Sequence, residues 1–486
     1  MAQAKDGLDT GKKKQVPAGY LDGSSNFGNN GGGGGGSSSN RSGGNNSHDA
    51  GARAAHTGTT MPPAPATERE AIPSDLPPAY SFSDPNMLPA MPPQFSMALS
   101  SGSPDALQDL KVDQKRASEL VATKAFAFDR PVFIHASNVS STTLVIEPDT
   151  NLDNADAIVV IAEVTSLISG LDNKCSVTAT VNELNEYDFY VCSTASMWSL
   201  KSINCRFVVR VPSTRAGSHP GIRAAFANGR ADMSYINNIN FGFIDLKTTC
   251  GDVALTNVQG GSIRVSTTRG VLKASNVVAA DLCEMLTTNC KVTLVDVRAQ
   301  QVNTKTSNSS ITLTTVAGEA VLAETSNGKI DCTNISAVNV KLTTTNSSID
   351  TNHVAATNLY LNTRNAKIEG TWRIKNLLDV VTTNSKIVST ILLQDPLEPV
   401  TIRLSTTNSK IQAYLPAESF RGVFDAKTSN SKATVQAHRT NNVGSPPIQY
   451  IINDKSYKRG TIGSIDSTRH QFSASTTNSG IEVRLV

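Results

Sequence analysis

Residues 344–349 read TTNSSI, 363–368 read TRNAKI and 382–387 read TTNSKI. The same phrase returns as TSNSSI from 306, TSNGKI from 325, TTNSKI from 406, TSNSKA from 428 and TTNSGI from 476. Its asparagine stands at Asn289, Asn308, Asn327, Asn346, Asn365 and Asn384, 19 residues apart each time. It continues at Asn408, Asn430 and Asn478, after steps of 24, 22 and 48. Cys250 and Arg269 occupy the same slot upstream, and Asn228 in FANGRA marks a candidate earlier copy. A period near 19 is too short for paired helices and fits one turn of a parallel β-solenoid.

The letters between the asparagines agree. In TSNGKIDCTNISAVNVKLT, residues 325–343, apolar side chains fall at Ile330, Cys332, Ile335, Val338, Val340 and Leu342. The next coil repeats the pattern at Ile349, Val354, Leu359 and Leu361. Alternation with period two marks strands with one face inward. Carried past Leu342, this parity turns Thr344 and Asn346 inward and breaks before Ile349, which puts a corner at 346–348. Asn and Gly tolerate the left-handed backbone of a tight corner. An inward Asn in each coil is expected to hydrogen-bond to the Asn of the next, giving a structural ladder along the axis. The same parity turns the column Thr248, Thr267, Thr287, Thr306, Thr325, Thr344 and Thr363 inward, which leaves little of the flat outward Thr face that ice binding needs.

The remainder of the 486 residues bounds the reading. Lys plus Arg number 44 against 41 Asp plus Glu, a net charge of +3, so nothing argues for nucleic acid. Cys175, Cys192, Cys205, Cys250, Cys283, Cys290 and Cys332 form no CxxC pair, and no metal or cofactor is expected. Residues 1–103, with GGGGGG at 31–36 and Pro-rich runs, are too poor in apolar residues to offset chain entropy and read as a disordered tail. Residues 104–125 read as a linker with a short helix, 126–225 as an irregular N-terminal cap with the first coils, and 226–486 as the regular solenoid with an insertion at 438–463. That insertion is expected either to project as a loop or to cap the stack. The last strand, IEVRLV, alternates inward Ile481, Val483 and Leu485 with outward Glu482 and Arg484, charges that would guard an open end. No hydrophobic leader follows MAQAKDGLDTGKKKQ, and the longest apolar run carries Glu163, so the default expectation is a soluble cytoplasmic protein.

Three outward features invite chemistry. A column two residues after the Asn holds Lys291, Lys329, Lys367, Lys386, Lys410 and Lys432. The last three lack acidic neighbours in their own coils and form a candidate ridge for an anionic polymer, glycan or lipid surface. Asp331, Asp350 and Glu369 stack on successive coils, and paired carboxylates can hydrolyse glycosides. In the tail, Pro77, Pro78, Ala79 and Tyr80 spell PPxY, a polyproline segment resembling the ligand of WW domains such as those of Nedd4-type ubiquitin ligases.

The T[TS]N[SG]KI phrase at this spacing resembles the adhesin-type β-solenoid repeat family widespread in bacteria, over residues 220–486 and more loosely 126–219. It is still more similar to fungal proteins of unknown function that join such a solenoid to a disordered Pro-rich tail bearing PPxY. The resemblance implies surface exposure and no catalytic residues. The expectation is therefore an all-β protein acting as a non-enzymatic binding or scaffold protein. A cell-surface adhesin exported unconventionally and a polysaccharide-active solenoid enzyme are the alternatives.

Overall fold

The computed structural model describes residues 110–149, 157–194 apart from 168 and 172, 203–212, 219–437 apart from 235, 237 and 238, 446–464 and 469–486. The described residues hold 27 strands in one hydrogen-bonded network and no helix. The fold is an all-β parallel solenoid.

Strand Ile330–Thr343 shows how one coil is made. It pairs in parallel with Ile311–Glu324 on one side and Ile349–Asn362 on the other, with Ile330 opposite both Ile311 and Ile349. Ile330, Cys332, Ile335, Val340 and Leu342 are buried, and each fully buried Ile, Leu or Val contributes about 1.5–3 kcal/mol. Val338, expected in the core, is 45% exposed, where the alternation breaks and the register pairs Ala337 with Gly318 and Asn339 with Ala320 but skips Val338. The alternation breaks again at Asn334, whose φ of 55° is left-handed. Asn257, Asn276, Asp296, Thr315, Asn334 and His353 form a column of such residues, with φ between 51° and 57°. The left-handed positions therefore belong to this column and not to the NSS corner where the sequence suggested them.

The Asn column faces outward, which corrects the inward expectation. All nine of its residues are exposed, while Thr267, Thr287, Thr306, Thr325, Thr344 and Thr363 are buried. The inward parity ends at the Thr, one step earlier than the letters suggested. The side chains still bond along the axis. Asn346 Nδ2 donates to Asn327 Oδ1 at 2.7 Å, and Asn346 Oδ1 accepts from Asn365 Nδ2 at 2.7 Å. Beneath, Thr344 Oγ1 donates to the Gly328 carbonyl at 3.1 Å and Thr363 Oγ1 to the Ser347 carbonyl at 3.0 Å. Each corner is thus tied to its neighbour twice, once outside and once inside.

Coil 368–381 departs from its neighbours by burying Trp372 in the place where the previous coil has Val354. Its indole donates to Thr351 Oγ1 at 2.6 Å. Gly370 makes the room, since a Cβ there would meet Thr351 Oγ1 at 1.9 Å.

The stacking order departs from the chain order at both ends. Strand His470–Thr476 lies between Thr401–Ser405 and Gly422–Thr428, and Ile481–Leu485 lies between Ile411–Leu415 and Ala433–Ala437. The coil latest in sequence is therefore internal, and Glu482 and Arg484 guard no open end. The described part of the insertion forms strands Ile448–Asn453 and Tyr457–Ile462, which cap the stack by antiparallel pairing onto Gly422–Thr428.

At the other end, coil 132–149 lies between coils 187–212 and 222–233. Antiparallel strands Cys175–Val181 and Ala157–Ser166 close that end. Residues 104–125 form no helix where described. Strands Lys111–Arg116 and Glu119–Ala127 pair as a hairpin onto Ala157–Ser166. The period-two burial of Leu120, Ala122, Lys124 and Phe126 decides for strand.

Candidate functional site

The parallel register carries outward side chains of like position into columns one coil apart, close enough for direct contact. On the column after the Asn corner, Lys329 Nζ lies 2.6 Å from Asp331 and 2.8 Å from Asp350. Lys367 Nζ lies 3.4 Å from Asp350 and 3.0 Å from Glu369. Hydrogen bonds to Asp331 and then Asp350 hold the Lys329 ammonium above its ordinary range, and Glu369 does the same for Lys367. The three carboxylates proposed as a hydrolytic set are thus brought together, alternating with lysines along a ribbon.

The candidate anion ridge is divided. Coil 470–485 enters between Lys410 and Lys432 and brings Gly480 into the column and Glu482 beside it. Glu482 lies 2.7 Å from Lys410 and also accepts from Gln412 at 3.1 Å. Lys410 is therefore neutralised, against the sequence expectation, because its acidic neighbour comes from 72 residues away in the chain. Lys386 and Lys432 are exposed, and among the described residues no ion pair reaches them. Pro77, Pro78 and Tyr80 lie outside the described residues.

A second outward patch has no repeat signature. Strand Val132–Ser137 alternates inward Val132, Ile134 and Ala136 with outward Phe133, His135 and Ser137. Its partner strand Tyr187–Ser193 sets Asp188, Tyr190 and Cys192 opposite. The His135 ring stacks on Phe133 at 4.5 Å and on Tyr190 at 4.3 Å, and its Nε2 stands 2.7 Å from Asp188 Oδ1. Ser137 Oγ engages the Tyr190 hydroxyl and the Cys192 sulfur, the latter at 3.3 Å. A Ser, a His and an Asp meet here, but the serine hydroxyl is turned to Tyr190 and Cys192, and both imidazole faces are covered. The arrangement is a packed aromatic and polar patch.

Beside it a shallow recess of about 210 Å³ is lined by Arg223, Phe243, Ile244, Asp245, Ser262 and Arg264. Arg223 bridges Glu186 at 3.0 Å and Asp245 at 3.4 Å and lies over the Phe243 ring. The outward alternation in VFIHAS and YDFYVCS was visible in the sequence. Their pairing was not, because the two strands lie about a coil apart in space and 55 residues apart in the chain. Among the described residues no group of three or more His, Cys, Asp or Glu is placed to hold a metal ion. No described helix is long and apolar enough to cross a membrane.

Residues 138–301 match the family model described as Toastrack DUF4097. The stretch takes in most of the N-terminal coils and the start of the regular repeat. Two solved structures are similar. One is a proposed cell adhesion protein from Clostridium sporogenes, 9% identical, covering 77% of this chain and 100% of that chain, with a TM-score of 0.16. The other is a proposed adhesin from Bacteroides fragilis, 14% identical, covering 58% of this chain and 98% of that chain, with a TM-score of 0.26. No curated protein matches the chain. The family match agrees with the all-β repeat fold.

Proposed function

We propose that the protein is a non-enzymatic binding or scaffold protein, an adhesin-like β-solenoid with a linear ligand motif in its tail. The observation that carries this reading is the double tie at each corner, Asn to Asn outside and Thr to carbonyl inside. It holds outward side chains at a constant coil spacing, a display suited to a partner with repeated groups. The clamping of Asp350 between Lys329 and Lys367 weighs against the hydrolytic reading, because a glycosidase pair needs one carboxyl ready to give a proton. Lys386 and Lys432 are the positions offered to an anionic polymer, glycan or lipid surface, and the PPAY segment with Tyr80 is offered to a WW domain.

The reading is tested with the full-length chain captured on an immobilised Nedd4-type WW domain. Capture that is lost on Tyr80→Ala supports the tail's role, and capture unchanged by it removes that role. A C-terminal tag then separates scaffold from surface adhesin. Protection from protease added to intact cells supports an intracellular scaffold, whereas cleavage supports the adhesin. In the second case, salt-sensitive glycan binding should fall when Lys386 and Lys432 become Gln.

A further inference from the structure

The chain closes its stack by a detour. It lays down coil 401–415, skips a space, makes coil 422–437 and the antiparallel cap, and then fills the skipped space with 470–485. Read from the other end, the first coils follow the same path: 222–233, a space, 187–212, the cap strands, and then 132–149 in the space.

The two faces of the C-terminal space are chemically interchangeable with the faces of the coil that fills it. Phe472 stands between Ile402 and Phe424, Ala474 between Leu404 and Ala426, and Ile481 between Ile411 and Ala433. Asn478 donates to Asn408 and accepts from Asn430. Thr476 Oγ1 donates to the Ser409 carbonyl at 3.1 Å, and Thr428 Oγ1 donates to the Ser479 carbonyl at 2.7 Å. Without the filler, Asn430 and Thr428 would meet in Asn408 and Ser409 the same acceptors they now find in Asn478 and Ser479. Coils 401–415 and 422–437 also precede the filler in the chain.

From this we propose that the space between coils 401–415 and 422–437 is an acceptor site for an extended polypeptide with a Thr-x-Asn corner, filled here in cis by residues 470–485 and able to close on itself when that segment is out. The ligand class is narrow. It must offer two parallel strands joined at an Asn, with apolar side chains at alternate positions facing in, as Phe472, Ala474, Ile481 and Val483 do.

The test uses cysteine pairs in the full-length chain. In the filled stack, positions 408 and 430 are two strand spacings apart, about 9.6 Å, beyond the reach of about 7 Å for a disulfide. In the closed stack they are one spacing apart, about 4.8 Å, and a disulfide can form. Asn408→Cys/Asn430→Cys and, with the Asn ladder left whole, Lys410→Cys/Lys432→Cys are each oxidised in two ways. One sample is oxidised during refolding from denaturant and the other after folding, with disulfides mapped by mass spectrometry. Asn384→Cys/Asn408→Cys, one spacing apart, reports that oxidation works. The expected result is a cross-link in the refolding sample alone, together with loss of protease protection of a C-terminal tag. The proposal is overturned if the one-spacing control forms and neither test pair does. It is equally overturned if the test pairs form to the same extent in both samples, which would mean that 470–485 does not hold the space.

Discussion

Asn478 Nδ2 donates to Asn408 Oδ1 at 2.7 Å although 70 residues separate the two in the chain, and Asn430, only 22 residues after Asn408, reaches it only through Asn478. The last coil in sequence is thus paired on both sides. Ile481, 1% exposed, packs between Ile411 and Ala433, and its amide donates to the Lys432 carbonyl at 3.1 Å. Ile481→Ala should cost about 2–5 kcal/mol, the range for a buried Ile in a core that cannot collapse. Urea midpoints at unchanged m-value measure it. A change near zero would mean that the segment frays as a free edge strand does.

The inner and outer ties of a corner should separate by mutation. Asn346 is exposed and makes two side-chain bonds along the ladder, so Asn346→Ala should cost about 1–3 kcal/mol, taking about 0.5–1.5 per bond. Thr344 is 2% exposed, and Thr344→Val keeps its shape while leaving the Gly328 carbonyl without its hydroxyl partner. About 1–3 kcal/mol is expected there, with Thr344→Ser recovering much of it. Equal, negligible costs for Asn346→Ala and Thr344→Val would show that backbone pairing alone holds the corner.

How much of this was legible in the letters follows from what each feature depends on. The 19-residue step and the inward Ile330, Leu342 and Thr344 are local properties of a repeated phrase, and period-two alternation exposes them directly. The face of Asn346 is not legible from alternation, because the parity that turns Thr344 inward ends at the bend 345–347. The partner of Lys410, Glu482, is set by stacking order, and identical corners carry no information about which corner sits on which. The patch of His135 and Asp188 depends in the same way on coil 132–149 slipping between two later coils. Repetition made the fold easy to see and the neighbours at its ends hard to assign.

The lysine and carboxylate ribbon should matter little to stability and depend on salt. Asp350 is shared by Lys329 at 2.8 Å and Lys367 at 3.4 Å, and all three side chains are between 26% and 40% exposed. Asp350→Asn should cost no more than about 1 kcal/mol at low ionic strength, the usual range for exposed pairs. The difference should vanish near 1 M salt, where the screening length is about 3 Å. A loss that persists at that salt would mark Asp350 as a packing residue.

Glu482 gives the pH prediction. The hydrogen bond from Lys410, with those from Gln412 and Arg484, outweighs its burial and holds its carboxyl at about 2, below the ordinary 4.5. A folded value below the unfolded one means that the carboxylate form stabilises the fold. That contribution is complete above about pH 4.5 and is lost as pH falls through about 2. Lys410→Gln removes the first of these donors, so the carboxyl should move back toward its ordinary value. The variant should be less stable than the parent at neutral pH, and the gap between them should narrow steadily as pH falls from about 4.5 to about 2. Urea midpoints of the two proteins across that window measure the gap, and Glu482→Gln should show the same narrowing. A gap that stays constant with pH would mean that Lys410 contributes by packing its stem and that Glu482 is not held by its charge.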